Sequence, residues 1–531
     1  MRNTLFLLIA LLTCMSAAIA QPQVSLSEPF DEPAALNWKK VMQLKNGNTF
    51  YFYNNKKGIE VTVYGKDHKV KSQNTVNGKD WQARMIPGST ITSVQEINGE
   101  PVIFLTTEED KIHKLYRVVF DPEAGTIKDE KNIGTILKYE MGDEAQLNGY
   151  YVSKDPISEN YAVVAYNNKM PDATKRMKVD LYSPTHEELA SSLYGKPENF
   201  RFLNLIAMCV VDKDVIMACS GSNVDAVDDK NAKLIISRLS KGETAVTHQV
   251  ATTTENFKSA LGVMRYHPGK KKILMLTHAM VAEQKKTGSG LSKIRTLNNI
   301  YKTLLSEIDP ATLSIKSNNV AYKKQTDIQK SPYLGFAQDF IINKDNSLTI
   351  VSENFIHQQV NTSYAPATGG YKSYRTATTK MENAGITNLT ENGEETKAAT
   401  ITKASMYRTY LGPFNHWAKN NGFWEALAVN FYSVDYINTG TAQYVMFNDL
   451  PENLNELKND LGGISAASLM CYEISDKPTK YFLFGAPDGK HNRAFSDLRA
   501  SHFQESTNTY AALIVETEKK KQGRIAWMTF K

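Results

Sequence analysis

A four-strand pattern recurs along the chain and constrains the fold more than any other feature of the sequence. In its first copy, residues 41–76, short runs rich in Val, Ile, Phe and Tyr alternate with turns that contain Gly or Asp. The Asn46-Gly47 pair is a strong hairpin signal, because a two-residue turn of this kind needs positive φ at both positions. Residues 59–63 then alternate apolar and polar side chains, which is typical of a strand with one buried face. The first copy therefore predicts four antiparallel strands.

The turn signals of this first copy return at a regular interval. The period is about 55 residues in the first five copies and about 75–95 residues later, which lies in or above the range of repeat architectures. The second hairpin of the copy also returns, because Asp121-Pro122 and Asp309-Pro310 each end a predicted strand and Ser183-Pro184 is a looser version. Pro presets φ in such turns, and the preceding Asp can bond the turn backbone. The first-hairpin turns fall at residues 46–47, 98–99, 155–159, 212–213, 268–269, 344–346, 438–440 and 506–508.

A period of this size with four strands per copy predicts an all-β chain folded as a single β-propeller. Eight first-hairpin signals favour eight four-stranded antiparallel blades with loop insertions in the later blades. Seven blades are the alternative because the late copies are weak, and tandem β-sandwich domains are a second alternative. The last copy offers three strands, so residues 23–27 are expected to supply the fourth and cover its exposed edge.

The first 20 residues have the features of a secretory signal peptide. Arg2 supplies the positive charge, residues 5–12 the short apolar run, and Ala18-Ile19-Ala20 the small-x-small cleavage pattern. We therefore expect a signal peptide at 1–20, an N-terminal segment at 21–36 that completes the last blade, and the propeller domain at 37–531. The protein is expected to be exported to the periplasm, the cell surface or the medium. No transmembrane segment is expected in the mature chain, since no other stretch approaches about 18 apolar residues.

Charge and cysteine content exclude some classes of function. The formal net charge is +6, or +5 once Arg2 is removed, which gives no electrostatic case for nucleic acid binding. Three cysteines remain after cleavage, Cys209, Cys219 and Cys471, and an odd number argues against a disulfide framework. A two-residue turn after residue 211 would place Cys209 opposite Ile216 rather than opposite Cys219. All three are expected to be small core residues.

From Gln43 to the C-terminus, the pattern of repeated turns resembles that of the secreted β-propeller proteins of unassigned function common in Bacteroidota. The chain lacks the Gly-His and Trp-Asp pairs of WD40 blades, the Gly-Gly doublets of kelch blades and the Asp box of sialidase-type blades. The resemblance therefore implies the fold and export, and it carries over no catalytic residue.

Motifs that would indicate catalysis, a metal or a cofactor are absent from the sequence. There is no phosphate-binding Gly-rich loop and no Gly-x-Ser-x-Gly elbow. His186-Glu187 begins like a zinc helix but lacks the second His one turn later. The acidic residues between 223 and 229 do not match the spacing of a calcium loop. We therefore predict no catalytic residue, no metal and no cofactor. Carboxylate pairs that converge from distant blades are not readable from sequence.

The repeat is interrupted by insertions at about residues 282–293, 357–380, 406–425 and 451–461. Long loops on a rigid scaffold are often functional. The third insertion reads MYRTYLGPFNHWAKNNGFWE and holds the candidate ligand-binding residues Tyr407, Tyr410, Phe414, Trp417 and Phe423. The alternative is a plug whose rings pack between blades, since aromatic side chains usually serve burial.

These features favour a binding or interaction protein of the cell envelope, with a glycan or an envelope protein as its ligand. The alternative is a glycan-active hydrolase or lyase with carboxylates converging at the centre of the propeller. Two or three such carboxylates with raised pKa would favour the enzyme.

Export gives the first testable prediction. The secreted protein is expected to begin at Gln21 and to carry no lipid, because Thr13 is a poor residue before a lipidated cysteine at Cys14. Intact-mass measurement of the exported protein checks this. A mass that corresponds to an acylated chain beginning at Cys14 would contradict it.

Overall fold

The computed structural model consists of eight four-stranded antiparallel sheets that form the blades of one β-propeller ring. The all-β prediction and the count of eight blades are confirmed, and the tandem-sandwich alternative is wrong. Within a blade the strands follow one another in chain order from the axis outward, except in blade 8. The structure describes residues 21–31, 33, 37–82, 91–109, 112–137, 148–167, 170–224, 231–252, 257, 260–280, 301–330, 333, 335–364, 372–407, 411–420, 433–484, 493–517 and 521–531.

Two short N-terminal strands belong to blade 8, and blades 1 to 4 follow them along the chain. The N-terminal strands are β1 (Gln23–Leu26) and β2 (Phe30–Asp31). The four blades comprise, in order, β3 (Lys39–Gln43), β4 (Thr49–Asn55), β5 (Gly58–Tyr64) and β6 (Val70–Val76); β7 (Ile91–Ile97), β8 (Glu100–Glu109), β9 (Ile112–Phe120) and β10 (Ile127–Leu137); β11 (Asn148–Lys154), β12 (Tyr161–Asn167), β13 (Met177–Tyr182) and β14 (Glu188–Leu193); β15 (Phe202–Val211), β16 (Asp214–Ser222), β17 (Lys233–Ser240) and β18 (Thr247–Val250).

Blades 5 to 8 continue this order, and blade 6 carries one extra short strand. They comprise β19 (Leu261–His267), β20 (Lys272–Met280), β21 (Tyr301–Ile308) and β22 (Ile315–Val320); β23 (Gly335–Ile342), β24 (Leu348–Tyr364), β25 (Lys372–Leu389), β26 (Glu395–Ile401) and the extra β27 (Ser405–Tyr407); β28 (Val434–Asn438), β29 (Gln443–Asp449), β30 (Ser468–Ile474) and β31 (Thr479–Phe482); β32 (Ala494–Gln504), β33 (Thr509–Glu516) and β34 (Gln522–Thr529).

Helices are short and lie in the connections between strands. They are α1 (Lys323–Gln329), α2 (Asn415–Asn420) and the 3-10 turns Ala173–Lys175, Pro197–Asn199, Pro451–Asn453 and Ile464–Ala466. Gln325 fixes α1 to blade 6, because its buried amide donates to the backbone carbonyls of Ile386 and Ala399 at 3.0 and 2.8 Å. None of the described helices is long and apolar enough to cross a membrane.

The repeated Asp-Pro turns have the bonding that the sequence predicts. Asp121 and Asp309 each accept hydrogen bonds from two backbone N–H groups of their own turn. These N–H groups hold the pKa of Asp121 below its usual value, while Lys272 together with the turn lowers the pKa of Asp309 to about 2. Both turns then need a left-handed residue four positions on, which is Gly125 (φ +70°) in blade 2 and Leu313 (φ +59°) in blade 5.

The first hairpin of blade 1 differs in one detail from its prediction. Gly47 is left-handed at φ +90°, but Asn46 is not. The Gly47 amide bonds the Leu44 carbonyl at 2.9 Å, and the Leu44 amide bonds the Asn48 carbonyl at 2.8 Å. The turn is therefore a three-residue loop with Gly at the left-handed position, a common hairpin alternative to the two-residue turn.

The cysteine predictions are confirmed within the described residues. Cys209 pairs across the hairpin with Ile216, not with Cys219, and all three cysteines are buried and free. Burial raises the pKa of each thiol, so none is a reactive thiolate at neutral pH.

The apolar core lies between neighbouring blades, and each blade interface holds its own cluster of buried side chains. The cluster between blades 8 and 1 contains Trp527, which is fully buried and donates from Nε1 to the Thr49 hydroxyl at 2.9 Å. The imidazole of His68 stacks on the same indole at 4.2 Å. This interface therefore joins the last blade to the first by both packing and hydrogen bonds.

The N-terminal segment supplies the outer strand of blade 8. β1 pairs antiparallel with β34, and the Ser27 amide continues the ladder to the Ile525 carbonyl at 2.8 Å. β2 pairs with the other end of β34, where Phe30 lies over Gly523 so closely that a Cβ there would be 2.5 Å from the ring. Residues from the two ends of the chain thus share one sheet.

Deleting residues 21–30 is expected to lower the melting temperature and promote aggregation, because it exposes the edge of β34. The control is Val24→Ser with Leu26→Ser, since both side chains are already 37% and 43% exposed and the ladder stays intact. The control should lose no more than about 0.5 kcal/mol. Unchanged melting and solubility of the deletion would show that the ring does not depend on this strand.

Candidate functional site

The insertions of blades 6 and 7 leave the ring at the same end. Neighbouring strands of a blade run antiparallel, so the turn from second to third strand lies at the same end as the connection to the next blade. The extended β24–β25 hairpin and residues 450–467 are turns of the first kind, and residues 402–420 belong to the connection from blade 6 to blade 7. We call this end of the ring the insertion end.

The β24–β25 hairpin continues well beyond the body of blade 6. β24 pairs with β23 only as far as Asn354, and β25 pairs with β26 only from Ala384 onward. Past these points, residues 355–364 pair with residues 372–381, and residues 379–381 also pair with β27. Ten strand residues span about 30 Å. We call residues 355–364 and 372–381 the ribbon.

The base of the ribbon contacts the other two insertions at this end, residues 402–420 and residues 450–467. β27 pairs with residues 379–381 of β25. Its first residue, Ser405, is 1% exposed and also bridges to Leu461 in the blade 7 insertion. The Leu461 amide donates to the Ala404 carbonyl at 2.8 Å. The insertions therefore pack as one layer rather than as separate loops.

Three of the five predicted ligand-binding residues can be placed. Phe414 is 5% exposed within the apolar cluster between blades 5 and 6, and Trp417 is partly buried against the same cluster. Tyr407 is partly buried against a different cluster, which extends from the interface of blades 8 and 1 to Phe355 and Leu461 of the insertions. Tyr410 and Phe423 lie outside the described residues. The structure therefore brings Phe414 and Trp417 together and places Tyr407 against another cluster.

Phe414 shows how the third insertion is fixed. Its backbone is left-handed at φ +64°, a conformation that costs free energy for a bulky residue. Its amide donates to the Ala337 carbonyl at 2.8 Å, and its carbonyl accepts from the Ala418 amide to begin α2. Phe414 is thus an anchor of the segment.

A bulge in β32 places a buried ion pair near the axis. Residues 498–501 interrupt the pairing between Asp497 and His502, and bulges of this kind redirect side chains. The Arg499 guanidinium donates from Nε and Nη2 to the two oxygens of Asp497 at 2.8 and 2.7 Å. Lys39 Nζ, on the inner strand of blade 1, lies 3.5 Å from the same carboxylate, with all three side chains under 5% exposed.

His416 forms a second buried group with acids from the inner strands of blades 6 and 7. Its Nδ1 lies 3.2 Å from Asp339 Oδ2, and its Nε2 lies 3.3 Å from Asp435 Oδ1. The Tyr436 amide donates to Nε2 at 3.2 Å, which places the hydrogen of a neutral ring on Nδ1, toward Asp339. Arg265 Nη2 completes the group at 2.8 Å from Asp339 Oδ1.

Ser501 lies in the same bulge as Arg499 and connects that bulge to the His416 group. Its hydroxyl donates to Asp435 Oδ2 at 2.6 Å, and its carbonyl accepts from Lys40 Nζ at 2.9 Å. The Tyr510 hydroxyl also donates to Asp435 at 2.5 Å. We call the connected set the inner-strand network; its members are Lys39, Lys40, Arg265, Asp339, His416, Asp435, Asp497, Arg499, Ser501 and Tyr510.

A separate buried ion pair secures the start of the third insertion. Lys403 Nζ lies 2.8 Å from Glu353 Oε1, and the Ser433 hydroxyl donates to Oε2 at 2.5 Å. The two charged side chains are 2% and 0% exposed. Removing one partner of such a pair leaves a buried charge and costs about 3–5 kcal/mol.

The electrostatics of the inner-strand network keep Asp339 and Asp497 ionised. Burial raises the pKa of Asp497, but Arg499 and Lys39 outweigh burial and bring the pKa below its usual value. At Asp339, burial again raises the pKa of the carboxyl group, but Arg265 and His416 outweigh burial. The pKa of Asp339 is therefore also below its usual value. Ionised carboxylates only accept hydrogen bonds, so these two acids have no proton to donate at neutral pH.

Glu96 differs from these acids and lies at the opposite end of the ring. Burial raises its pKa, and both carboxylate oxygens accept from the Lys45 amide at 3.1 and 3.2 Å. Lys154 Nζ donates to the Glu96 carbonyl at 2.6 Å, and Glu159 bonds Lys45 Nζ at 2.5 Å. The carboxyl group therefore ties blade 2 to the turn of blade 1, and Lys154 and Glu159 join blade 3 to both.

A surface cleft of about 580 Å³ lies between the outer strands of blades 3 and 4, away from the insertions. Its wall includes Tyr194 and His248, both of which bond Ser237, at 2.8 and 2.9 Å. The polar groups of this wall therefore already have hydrogen-bond partners within the protein. The inner-strand network is the stronger candidate for function. Within the described ranges, no group of His, Cys, Asp and Glu is arranged to hold a metal ion.

The sequence contained a signal for the network that motif searching missed. An Asp followed by a large apolar residue recurs in the inner strands of blades 6, 7 and 8, at Asp339, Asp435 and Asp497. A charge at one position of an otherwise buried strand predicts a paired, buried ion. His416 lies within the aromatic insertion, where no neighbouring residue of the sequence marks it as a member of a polar network.

No known protein-family model matches the chain, and no curated protein matches it significantly. Solved structures with a similar chain path include the polysaccharide lyase Uly1 (8% identity, 86% of this chain and 93% of that chain, TM-score 0.38). Prolyl oligopeptidase B from Galerina marginata is similar at 9% identity over 94% of this chain and 56% of its own, with TM-score 0.40. An apocarotenoid oxygenase from Synechocystis is similar at 8% identity, 96% and 92%, with TM-score 0.35.

These matches are distant. This chain spans only about half the length of the Galerina protein. At such identities and TM-scores the likenesses carry no argument about what this chain binds or whether it catalyses a reaction.

The burial of Phe414 and Trp417 gives a stability prediction. Phe414→Ala is expected to cost about 3–5 kcal/mol, because it empties a buried site between blades 5 and 6. Trp417→Ala should cost clearly less, since its ring is already partly solvated. Chemical denaturation of both variants checks the difference. If both variants lose the same stability, Trp417 belongs to the plug.

Proposed function

We propose that the chain is an exported, non-catalytic binding protein of the cell envelope whose ligand, a glycan or another protein, meets the insertion end. The observation that carries the proposal is the pairing of the acids near the axis. Asp339 and Asp497 have lowered pKa values and strong cationic partners. A general acid for glycan cleavage needs the opposite, a raised pKa and a proton to transfer.

The same end of the ring offers surface for a ligand. Tyr407 and Trp417 are partly exposed, and nearby connections carry the exposed apolar side chains of Met406 (46%) and Leu261 (50%). A half-exposed aromatic ring presents a flat apolar face and a polar edge, which suits sugar rings and peptide segments.

Buried anchors support a binding role for this surface. His416 ties the insertion to Asp339 on the inner strand of blade 6, and Lys403 ties it to Glu353 on β24. A segment held in one conformation loses little entropy when it binds, so more of the contact energy appears as affinity.

The alternative is a glycan-active hydrolase or lyase, which needs a group that titrates near neutral pH. Burial lowers the pKa of Lys40 to about 8, against the pull of Asp497. However, Lys40 is 6% exposed and its ammonium bonds the Ser501 carbonyl. A substrate has no access to it in this arrangement, so the binding function is better supported.

The proposal predicts that Tyr407→Ala weakens ligand binding and leaves folding intact. A panel of polysaccharides and peptides is first screened by thermal unfolding, where a ligand at 100 times its Kd adds about 2.7 kcal/mol. For the ligand found, Tyr407→Ala should reduce affinity about tenfold, as expected for an aromatic contact worth more than about 1 kcal/mol. Calorimetric titration measures the change.

The matched control is Tyr266→Ala, another partly buried tyrosine near the opposite end of an inner strand. Equal weakening by both variants would count against the insertion end as the binding surface. Release of new reducing ends or unsaturated sugars from any polysaccharide of the panel by the wild type would overturn the non-catalytic assignment.

A further inference from the structure

The outer strand of blade 3 has an open edge at the cleft between blades 3 and 4. Among the described strands, β14 pairs with β13 alone. The Tyr194 amide donates to the Met177 carbonyl at 2.9 Å, and bonding alternates along an antiparallel strand. Ser192 therefore bonds toward β13, whereas Ser191 and Leu193 direct their backbone N–H and C=O groups to the open side. Both of these residues line the cleft.

This edge already makes one contact of the kind that a further strand would make. The Gly242 amide, in the turn between β17 and β18 of blade 4, donates to the Leu189 carbonyl at 3.0 Å. Beyond this bond, residues 191–195 line one side of the cleft and residues 244–246 line the other. The volume of about 580 Å³ is within the range of ligand sites. Blade 4 therefore covers the start of the edge and leaves the rest accessible.

The accessible part of the edge lacks the usual protection against an added strand. Natural edge strands are commonly protected by charged side chains, by Pro or by a cover. The outer strand of blade 6 is covered in this way by α1, whose Gln325 bonds the Ala399 carbonyl. Residues 189–193 read LASSL, with no charge and no Pro, and Leu193 is 47% exposed. The edge of β14 is therefore able to accept a strand.

The two faces of β14 select different side chains in such a strand. Leu193 shares one face with Lys178, because the two residues lie opposite each other in the sheet. The Lys178 side chain is 47% exposed and its partner Asp180, at 2.8 Å, is only 3% exposed, so this face presents the cation. The other face carries Val246, which packs with Tyr194 in one apolar cluster. A strand that alternates acidic and apolar residues matches both faces.

The cleft suits a peptide better than a sugar. The side chains of Tyr194 and His248 already bond Ser237. The Tyr194 ring is 1% exposed, so it offers no flat face to a sugar. The groups that remain are backbone donors and acceptors of alternate residues, about 7 Å apart, which is the spacing that a second strand matches.

We infer that the edge of β14 binds an extended, acidic and apolar peptide segment of another protein as an additional antiparallel strand of blade 3. Main-chain hydrogen bonds to Ser191 and Leu193 hold the segment in register. Its acidic side chains lie on the face of Lys178, and its apolar side chains contact Val246. This site lies apart from the insertion end and is additional to the proposed function.

The probe is an acetylated and amidated hexapeptide of alternating Val and Asp, carrying a fluorescent label. Asp residues opposite Ser191 and Leu193 would exchange both backbone bonds with them, while the Val amides point away. N-methylation of the three Asp amides should therefore weaken binding at least about tenfold. N-methylation of the three Val amides is the matched control and should leave the affinity unchanged. Fluorescence anisotropy with the wild-type protein measures all three peptides.

A protein variant tests the same bonds from the other side. Leu193→Pro removes an N–H group that faces away from the ladder, a change that edge strands tolerate, and should weaken binding about tenfold. The control is Asn319→Pro on the outer strand of blade 5. The Asp309 amide bonds the Ser314 carbonyl, so alternation directs the exposed Asn319 outward as well. The control should bind like the wild type, and thermal melting shows whether both variants fold.

Several outcomes would overturn the inference. They are the absence of binding at about 1 mM hexapeptide, equal affinity for the two methylated peptides, and equal affinity for a hexapeptide of alternating Val and Lys. Dextran that binds the wild type but not Leu193→Pro would overturn it in favour of a glycan. The peptide comparison uses only the wild type, so it decides the question even if Leu193→Pro does not fold. Tyr407→Ala should bind the hexapeptide normally, which separates this site from the insertion end.

Discussion

The pairing of β1 with β34 is the interaction on which the rest of the ring depends. Each blade buries its two faces against its neighbours, so an open ring would leave two apolar faces and a strand edge in water. β1 covers the edge, and Trp527 fills the interface between blades 8 and 1. Because the closing strand comes from the opposite end of the chain, the ring cannot be completed before the last blade has formed.

Closure also explains where charge can be buried. The inner strands of blades 6, 7, 8 and 1 meet around the axis, and Asp339, Asp435 and Asp497 lie there with their partners. Buried ion pairs contribute little net stability, since desolvation offsets most of their attraction. They do fix the relative positions of the strands that carry them, because a misplaced partner would leave a buried, unpaired charge. We interpret the network as the device that fixes the position of the third insertion on the ring.

The sequence predicted the elements that local chemistry decides. The Asp121 and Asp309 turns, the opposition of Cys209 and Ile216, and the eight hairpins all follow from turn residues and strand alternation. The bulge at residues 498–501 does not, because nothing in that segment differs from an ordinary strand with two polar residues. Its cause lies in tertiary structure, where Asp497 meets Lys39 of blade 1 and Ser501 meets Asp435 of blade 7 only once the ring has closed.

For the same reason, only part of the candidate site could be predicted from the sequence. A cluster of aromatic residues within an insertion can be read from sequence, but the choice between plug and recognition surface depends on depth of burial. The two alternatives do not exclude each other within residues 402–420, where Phe414 and His416 are nearly inaccessible and Tyr407 and Trp417 are partly exposed. Burying some side chains of a segment holds the others still. A surface of this kind can be exposed without being flexible, and such preorganisation favours tight binding.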